Sequence, residues 1–294
     1  MTLASVETPS GKGAGNENFP VGSWLLPAAL RPHVATYYAF ARAIDDIADN
    51  PQLGPQEKLD RLTRFDEALR FNGEHQPGLE KAEALRYSLT ETGVSTQRGS
   101  DLVAAFKQDA VKSRYEDWDE LLGYCRLSAN PVGQYLLDLH GESREGYRSS
   151  DALCTALQVL NHLQDCQDDY HALDRVYLPL DWLGAEGLDV TVLDSSTSPP
   201  GLRRVLDLCL DRVDDLLVEA RRLPAQLRSS RLAMESAVIV RLATRLSRYL
   251  RRGDPLAGRV GLGKADFILA GFGGIVGVQA QRLFNTPQTA GRAG

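Results

Sequence analysis

Two pairs of aspartates set the terms for this chain. Asp45 and Asp49 lie in Ala43-Ile44-Asp45-Asp46-Ile47-Ala48-Asp49, and Asp165 and Asp169 in Asn161-His162-Leu163-Gln164-Asp165-Cys166-Gln167-Asp168-Asp169. Both pairs are spaced i, i+4, so on a helix the two carboxylates point the same way. Like charges at that spacing cost an exposed helix roughly 0.2–0.5 kcal/mol per pair, and the cost rises where the face is dry. A chain that does this twice inside apolar helices calls for a cation between the carboxylates.

Each pair extends into a polar stripe. Tyr38, Arg42, Asp45 and Asp49 follow i, i+4, i+7, i+11; Gln158, Asn161, Asp165 and Asp169 follow i, i+3, i+7, i+11. Leu157, Leu160 and Leu163 supply apolar cover beside the second stripe. Polar stripes on otherwise apolar helices suit the lining of a cavity inside a bundle. Asp46 and Asp168 are adjacent acids that point elsewhere, and His162 falls on another helical face. Carboxylates without paired His or Cys favour Mg²⁺, with Mn²⁺ as the alternative, over zinc or copper. Mg²⁺ keeps several waters and bridges carboxylates to substrate phosphates, so the substrate is expected to be a phosphate ester. Arg42 offers a forked donor for it.

The rest of the chain reads as helix. Period-2 alternation and Asn-Gly hairpins are absent, while helical periodicity places helices near 31–50, 55–72, 79–92, 98–112, 117–140, 150–172, 201–223, 230–252 and 264–284. Pro131 should kink the segment 117–140. The segment Asp174 to Ser198 lacks a clear helical pattern and is expected to be a loop, with a lid over the second motif as one reading. The expectation is an all-α fold, a single helical bundle with a central cavity over 16–284, with disordered tails at 1–15 and 285–294.

Composition narrows the class. Hydrophobic content of 43% and charged content of 24% fit an ordinary soluble globular protein, and a net charge of −6 argues against nucleic acid as a partner. The four cysteines (Cys125, Cys154, Cys166, Cys209) show no CxxC spacing, which fits buried free thiols in a reducing cytoplasm. No apolar run reaches the ~18–20 residues needed to span a bilayer. Phe267 to Val278 comes nearest and is expected to be a buried helix. A greasy substrate would still give the protein a reason for peripheral contact with a membrane.

Taken together and in order, the motifs resemble the squalene/phytoene synthase family, the head-to-head prenyl synthases of the isoprenoid fold. Tyr38 to Asp49 resembles the family's first Asp-rich motif. Gln158 to Asp169, followed by Arg175-Val176-Tyr177-Leu178-Pro179, resembles the second. Gly123-Tyr124-Cys125 with Ser128-Ala129-Asn130-Pro131-Val132-Gly133 resembles the GYC…AGTVG stretch between them. The resemblance runs from about Asn16 to about Phe267. It departs at Gln164, where members that condense two prenyl diphosphates commonly carry Arg, and at Asn130-Pro131. With the opening Asn16-Glu17-Asn18-Phe19-Pro20, these departures are similar to the bacterial hydroxysqualene synthase branch.

That branch implies Mg²⁺-dependent ionisation of presqualene diphosphate, rearrangement of the cation, and capture by water to give hydroxysqualene and diphosphate. It also implies functional coupling to a presqualene diphosphate synthase upstream and a flavin-dependent reductase downstream. The implied metal ligands are Asp45, Asp49, Asp165 and Asp169. Arg42, Arg175 and Tyr177 would surround the leaving group. Phe19, Tyr38, Phe40, Tyr124 and Leu160 would line the apolar pocket, and Tyr124, Asn161 and Gln158 could position the water. No GxGxxG motif is present, so no nicotinamide cofactor is expected. The alternatives are a condensing synthase making presqualene diphosphate, squalene, dehydrosqualene or phytoene from two prenyl diphosphates, and a non-catalytic assembly factor with the same fold.

Overall fold

The computed structural model describes residues 25–285, apart from 72 and 74. Phe19 and the expected tails, except Asn285, lie outside these described residues. The elements are α1 (Arg31–Asp49), α2 (Pro55–Arg70), α3 (Glu80–Thr92), α4 (Gln97–Asp109), β1 (Arg114–Tyr115), α5 (Trp118–Ser128), α6 (Asn130–Leu139), α7 (Tyr147–Gln164), α8 (Cys166–Leu173), β2 (Val176–Pro179), α9 (Leu180–Ala185), α10 (Pro200–Ala220), α11 (Leu223–Gln226), α12 (Ser230–Arg252) and α13 (Lys264–Asn285). The architecture is all-α apart from one short pair of parallel strands, β1 and β2.

Local chemistry sets the boundaries. Pro32, Pro55, Pro131 and Pro200 occupy the first turns of α1, α2, α6 and α10, where the missing N–H costs nothing. The Asp117 carboxylate caps α5 by accepting from Glu120 N–H at 2.8 Å, and Ser229 caps α12. Gly93 ends α3 with φ of 69°, a conformation that favours glycine.

Two expected continuous helices are broken. The segment 117–140 does not merely kink at Pro131. It stops at Ala129 (φ −121°) and restarts at Asn130, because Pro131 has no N–H to donate and its ring clashes with the preceding turn. The segment 150–172 breaks at Asp165 (φ −104°, ψ 13°), which ends α7 and starts α8. The Asp169 N–H still donates to the Asp165 carbonyl at 2.8 Å, so the second aspartate pair survives the break.

The segment after α8 is not a loose lid. Val176, Tyr177 and Leu178 are buried, and the Val176 N–H donates to the Ser113 carbonyl at 2.9 Å. Trp182 stacks on Trp118 with ring centres 5.6 Å apart, and Gln167 Nε2 donates to the carbonyls of Leu193 and Ser195. Nor is Phe267 to Val278 a buried helix. It belongs to α13, which turns its small residues Ala270 and Gly274 inward and leaves Ile268 (72% exposed) and Phe272 (73%) outside. Among the described residues no helix is long and apolar enough to cross a membrane.

One core joins α1 through α12, with α7 packed on α5, α6, α10 and α12. Phe40 and Leu160, expected to line a pocket, are fully buried in it, with Phe40 against Phe65. Tyr37 stacks on Tyr135 at 4.0 Å, and both phenols donate to backbone carbonyls, of Arg98 and His33. The close approach of α6 to α7 depends on Gly133. A Cβ there would stand 2.4 Å from Ser150 Oγ and 2.6 Å from Cys154 Sγ. Alanine has the better helix propensity by about 1 kcal/mol, but overpacking costs about 1–3 kcal/mol. Gly133→Ala is therefore expected to destabilise the fold by about 1 kcal/mol net, read as a lower urea midpoint. A stabilised variant would show that the helices yield there.

Candidate active site: an acidic cavity joined to an apolar one

The two aspartate motifs meet across one cavity of about 300 Å³. α1 contributes Asp45 and Asp49, α7 contributes Gln158 and Asn161, and the α7–α8 break presents Asp165 and Asp169. Tyr124 of α5 and Arg175 and Tyr177 around β2 complete the residues expected from the sequence. The turn that delivers Arg175 is formed by Asp174, which has φ of 52° and ends α8. Asp is among the residues that tolerate this left-handed conformation, and its carboxylate accepts from Arg114 at 2.6 Å.

Each of the four motif carboxylates has a basic neighbour. Asp45 pairs with Arg42 at 2.7 Å, Asp49 with Arg175 at 2.6 Å, Asp165 with Arg259 at 3.9 Å, and Asp169 approaches His162 Nδ1 at 3.8 Å. The pairing does not cancel the strain at Asp45. Burial and the adjacent Asp49 push its carboxyl up to about 8 against the opposing pull of Arg42. Burial also raises Asp165, with Arg259 opposing. Burial works against the charge on Arg175, but Asp109, Tyr177 and Asp49 outweigh it and hold its pKa above the ordinary value.

Other expected residues do not line this acidic cavity. Arg42 does not line the cavity; its guanidinium bridges Asp45 and Asp46, each at 2.7 Å. Tyr38 lines the neighbouring apolar cavity, and Phe19 is outside the described residues. Gln164, beside the second pair, also turns away: its side-chain amide donates to the Val260 carbonyl at 2.6 Å.

The structure adds residues that the motifs did not reveal. Asp109, the last residue of α4, is buried and accepts from the phenols of Tyr124 (2.7 Å) and Tyr177 (3.2 Å). Burial raises its carboxyl to about 6, with Arg175 and the Tyr124 bond opposing. A signal was available, since an acid at a helix C-terminus sits against the dipole and Asp109 falls on the apolar stripe of Leu102, Ala105 and Phe106. His162, placed by spacing on another face, stacks on Tyr177 at 3.6 Å and lines the cavity. Arg259, in the connection between α12 and α13, was not singled out at all.

Beside the acidic cavity lies an apolar one of about 260 Å³, walled by α1, α6, α7 and α12. Tyr37, Tyr38, Leu136, Leu153, Leu157 and Ile239 are among its lining, and Asn161 lines both cavities. The site therefore sets a charged compartment beside a greasy one, with Asn161 lining both.

The donor set fits Mg²⁺ of the bridging kind. Among the described residues no group of three or more His, Cys, Asp or Glu is arranged to hold a metal ion. Two carboxylate pairs facing one cavity suit an ion that keeps its waters and takes its remaining ligands from a substrate phosphate. They do not suit a zinc or calcium cage.

Comparison with known proteins places these features in context. The family model described as squalene/phytoene synthase matches residues 13–265. A hydroxysqualene synthase of Rhodopseudomonas palustris is 44% identical over 97% of this chain and 96% of its own length. Its counterpart in Zymomonas mobilis is 39% identical over 94% and 91%. A crystal structure of squalene synthase HpnC from Alicyclobacillus acidocaldarius is 34% identical and superposes with a TM-score of 0.70, covering 79% of this chain and 87% of that one. A dehydrosqualene synthase in complex with ligand shares the fold at 19% identity and a TM-score of 0.72, over 92% and 93%.

The raised carboxyls predict how stability follows pH. Folded Asp45 keeps its proton to about pH 8, whereas its ordinary value is 3.8. The folded state then binds more protons than the unfolded state between those values, so stability of the cation-free protein falls as pH rises through that window. Melting in a chelator should drop from about pH 5 to about pH 8, and added Mg²⁺ should recover more at the higher pH. Asp45→Asn should raise the cation-free stability at about pH 8 by about 1 kcal/mol, since it removes one member of a dry like-charge pair. A flat pH profile and a destabilised Asp45→Asn would contradict the repulsion.

Proposed function

The chain belongs to the squalene/phytoene synthase family, and on that premise we propose that it is a hydroxysqualene synthase, which converts presqualene diphosphate and water to hydroxysqualene and diphosphate. The observation that carries this reading is the position of Asn161, which lines both a charged cavity suited to diphosphate and an apolar one suited to hydrocarbon. The full-length likeness to hydroxysqualene synthases supports the choice within the family.

Asp45, Asp49, Asp165 and Asp169 would hold Mg²⁺, or Mn²⁺ in its place; the bound ion supplies charge neutralisation for the departing diphosphate. Arg175 lines the cavity beside Asp49, and the more exposed Arg259 approaches Asp165; both would offer guanidinium donors to the same oxygens. Departure of the diphosphate breaks the carbon–oxygen bond and leaves a cyclopropylcarbinyl cation, which rearranges. The apolar walls from Tyr37, Leu153, Leu157 and Ile239 exclude bulk water from that cation.

Water then attacks the cation and loses a proton. Asn161, which lines both compartments, would orient that water with its amide, and Gln158 lies one turn earlier on α7. The Tyr124–Asp109–Tyr177 cluster fixes an aromatic wall of the acidic cavity. The released proton has an acceptor among the cavity carboxylates or in the diphosphate itself. No nicotinamide chemistry enters, since the conversion is a substitution without net reduction.

In this reading a presqualene diphosphate synthase supplies the substrate, and a flavin-dependent reductase consumes the product. The place of action is the cytoplasm, in keeping with four free thiols, of which Cys125, Cys166 and Cys209 are buried.

Turnover with purified protein tests the assignment. With Mg²⁺, presqualene diphosphate should give hydroxysqualene and diphosphate, and farnesyl diphosphate alone should give nothing. A coupled product from farnesyl diphosphate would return the protein to the condensing branch. Asp49→Asn, Asp165→Asn and Asp169→Asn should each lower turnover about a hundredfold or more with the helical circular-dichroism signal retained. Undiminished turnover in all three would remove the metal-binding role.

A further inference from the structure

Charge is distributed very unevenly along this acidic chain. Residues 221–285 carry twelve Lys and Arg against three acids, although the whole protein has a net charge of −6. Arg241, Arg245 and Arg248 recur on α12 at i, i+4 and i+7, so they share one face. With Arg221 they line a groove of about 700 Å³ between α12 and α13, remote from the acidic cavity. Arg245 pairs with Asp266 at 3.2 Å.

The opposite wall of the groove is α13. Its inward positions are small: a Cβ on Gly274 would stand 2.8 Å from Val238 Cγ2, and one on Gly273 would stand 2.9 Å from Arg241 Nη1. Its outward positions are large and apolar. Ile268, Leu269, Phe272 and Val276 follow i, i+1, i+4, i+8 and are 72%, 58%, 73% and 46% exposed. Leu269 belongs to both the stripe and the groove, so the apolar face and the arginine row adjoin. The helix's acid, Asp266, is buried, accepting from Tyr249 at 2.8 Å and from the Gly263 N–H at 2.7 Å.

An apolar stripe beside a row of cations, with the acid turned inward, has the amphipathic pattern of a helix that lies in a membrane interface. A second copy of the chain fits poorly, because a two-fold contact would set this arginine row against its own image. A lipid surface supplies both complements at once, acyl chains for the stripe and phosphates for the guanidiniums.

We propose that α13 and the arginine face of α12 dock the protein on an anionic lipid surface, with Ile268, Leu269, Phe272 and Val276 entering the headgroup region and Arg241, Arg245 and Arg248 engaging lipid phosphates. Nothing in this surface depends on the reaction assigned to the cavity.

Flotation of the full chain with vesicles tests it. Vesicles of phosphatidylcholine containing phosphatidylglycerol should carry the protein, and vesicles of phosphatidylcholine alone should carry far less. Binding should weaken with salt. Arg241→Gln and Arg248→Gln should each weaken binding to the anionic vesicles about fivefold. Ile268→Ser combined with Phe272→Ser should weaken it about tenfold or more, and turnover in detergent solution should stay at the parent value in every variant. Failure to float with phosphatidylglycerol at low salt would overturn the proposal. So would binding indifferent to both sets of substitutions. Concentration-dependent dimerisation that the Ile268/Phe272 variant abolishes, without vesicle binding, would assign the face to a second copy instead.

Discussion

The ion pair between Arg175 and Asp49 holds the site's two halves to each other. It spans 126 residues of sequence at 2.6 Å, and a second guanidinium nitrogen of Arg175 donates to the Ala48 carbonyl at 3.0 Å. Through it the end of α1 is fixed to the chain leaving α8, which brings the two aspartate pairs to one cavity. Arg175 is buried and Asp49 partly so, and breaking the pair would leave the Arg175 charge buried without its carboxylate partner. The same guanidinium also sets the field felt by Asp109, whose carboxyl would rise further without it.

The carboxylates themselves oppose this order. Asp45 beside Asp49 and Asp165 beside Asp169 are arrangements that a protein selected for stability alone would avoid. Basic neighbours moderate the repulsion without removing it, as the raised carboxyl of Asp45 records. Under the proposed function, a divalent cation would relieve that remaining unfavourable energy and would in turn accept a diphosphate.

Much of this was legible in the sequence, because periodicity and charge act locally. The stripe on α1 needs only 3.6 residues per turn to place Asp45 above Asp49. What escaped depended on tertiary packing. The break at Asp165 has no proline or glycine to announce it, so α7 and α8 read as one helix. Spacing on that single helix then sent His162 to the wrong face. Asp109 lacks a partner acid nearby in sequence, and its role arises only when α4 meets Tyr124 and Tyr177. On α13, counting apolar residues implied burial. Packing decided otherwise: Ala270, Gly274, Ile275 and Val278 turn toward the core and α12, while Ile268, Leu269 and Phe272 are left outside.

Gln164 shows how a correct motif reading can rest on a side chain that does something else. A glutamine where condensing relatives carry arginine suggests a site with less positive charge, suited to one diphosphate. Yet Gln164 is buried, and its amide reaches the Val260 carbonyl. That bond anchors the α12–α13 connection next to Arg259, whose guanidinium approaches Asp165. Cationic charge near the second aspartate pair is thus delivered from the connection, not from the helix. An arginine at 164 would have to displace that connection or leave its charge buried, and either would disturb the placement of Arg259. The identity of residue 164 therefore bears on the diphosphate site through the backbone it holds, one step removed from the phosphates.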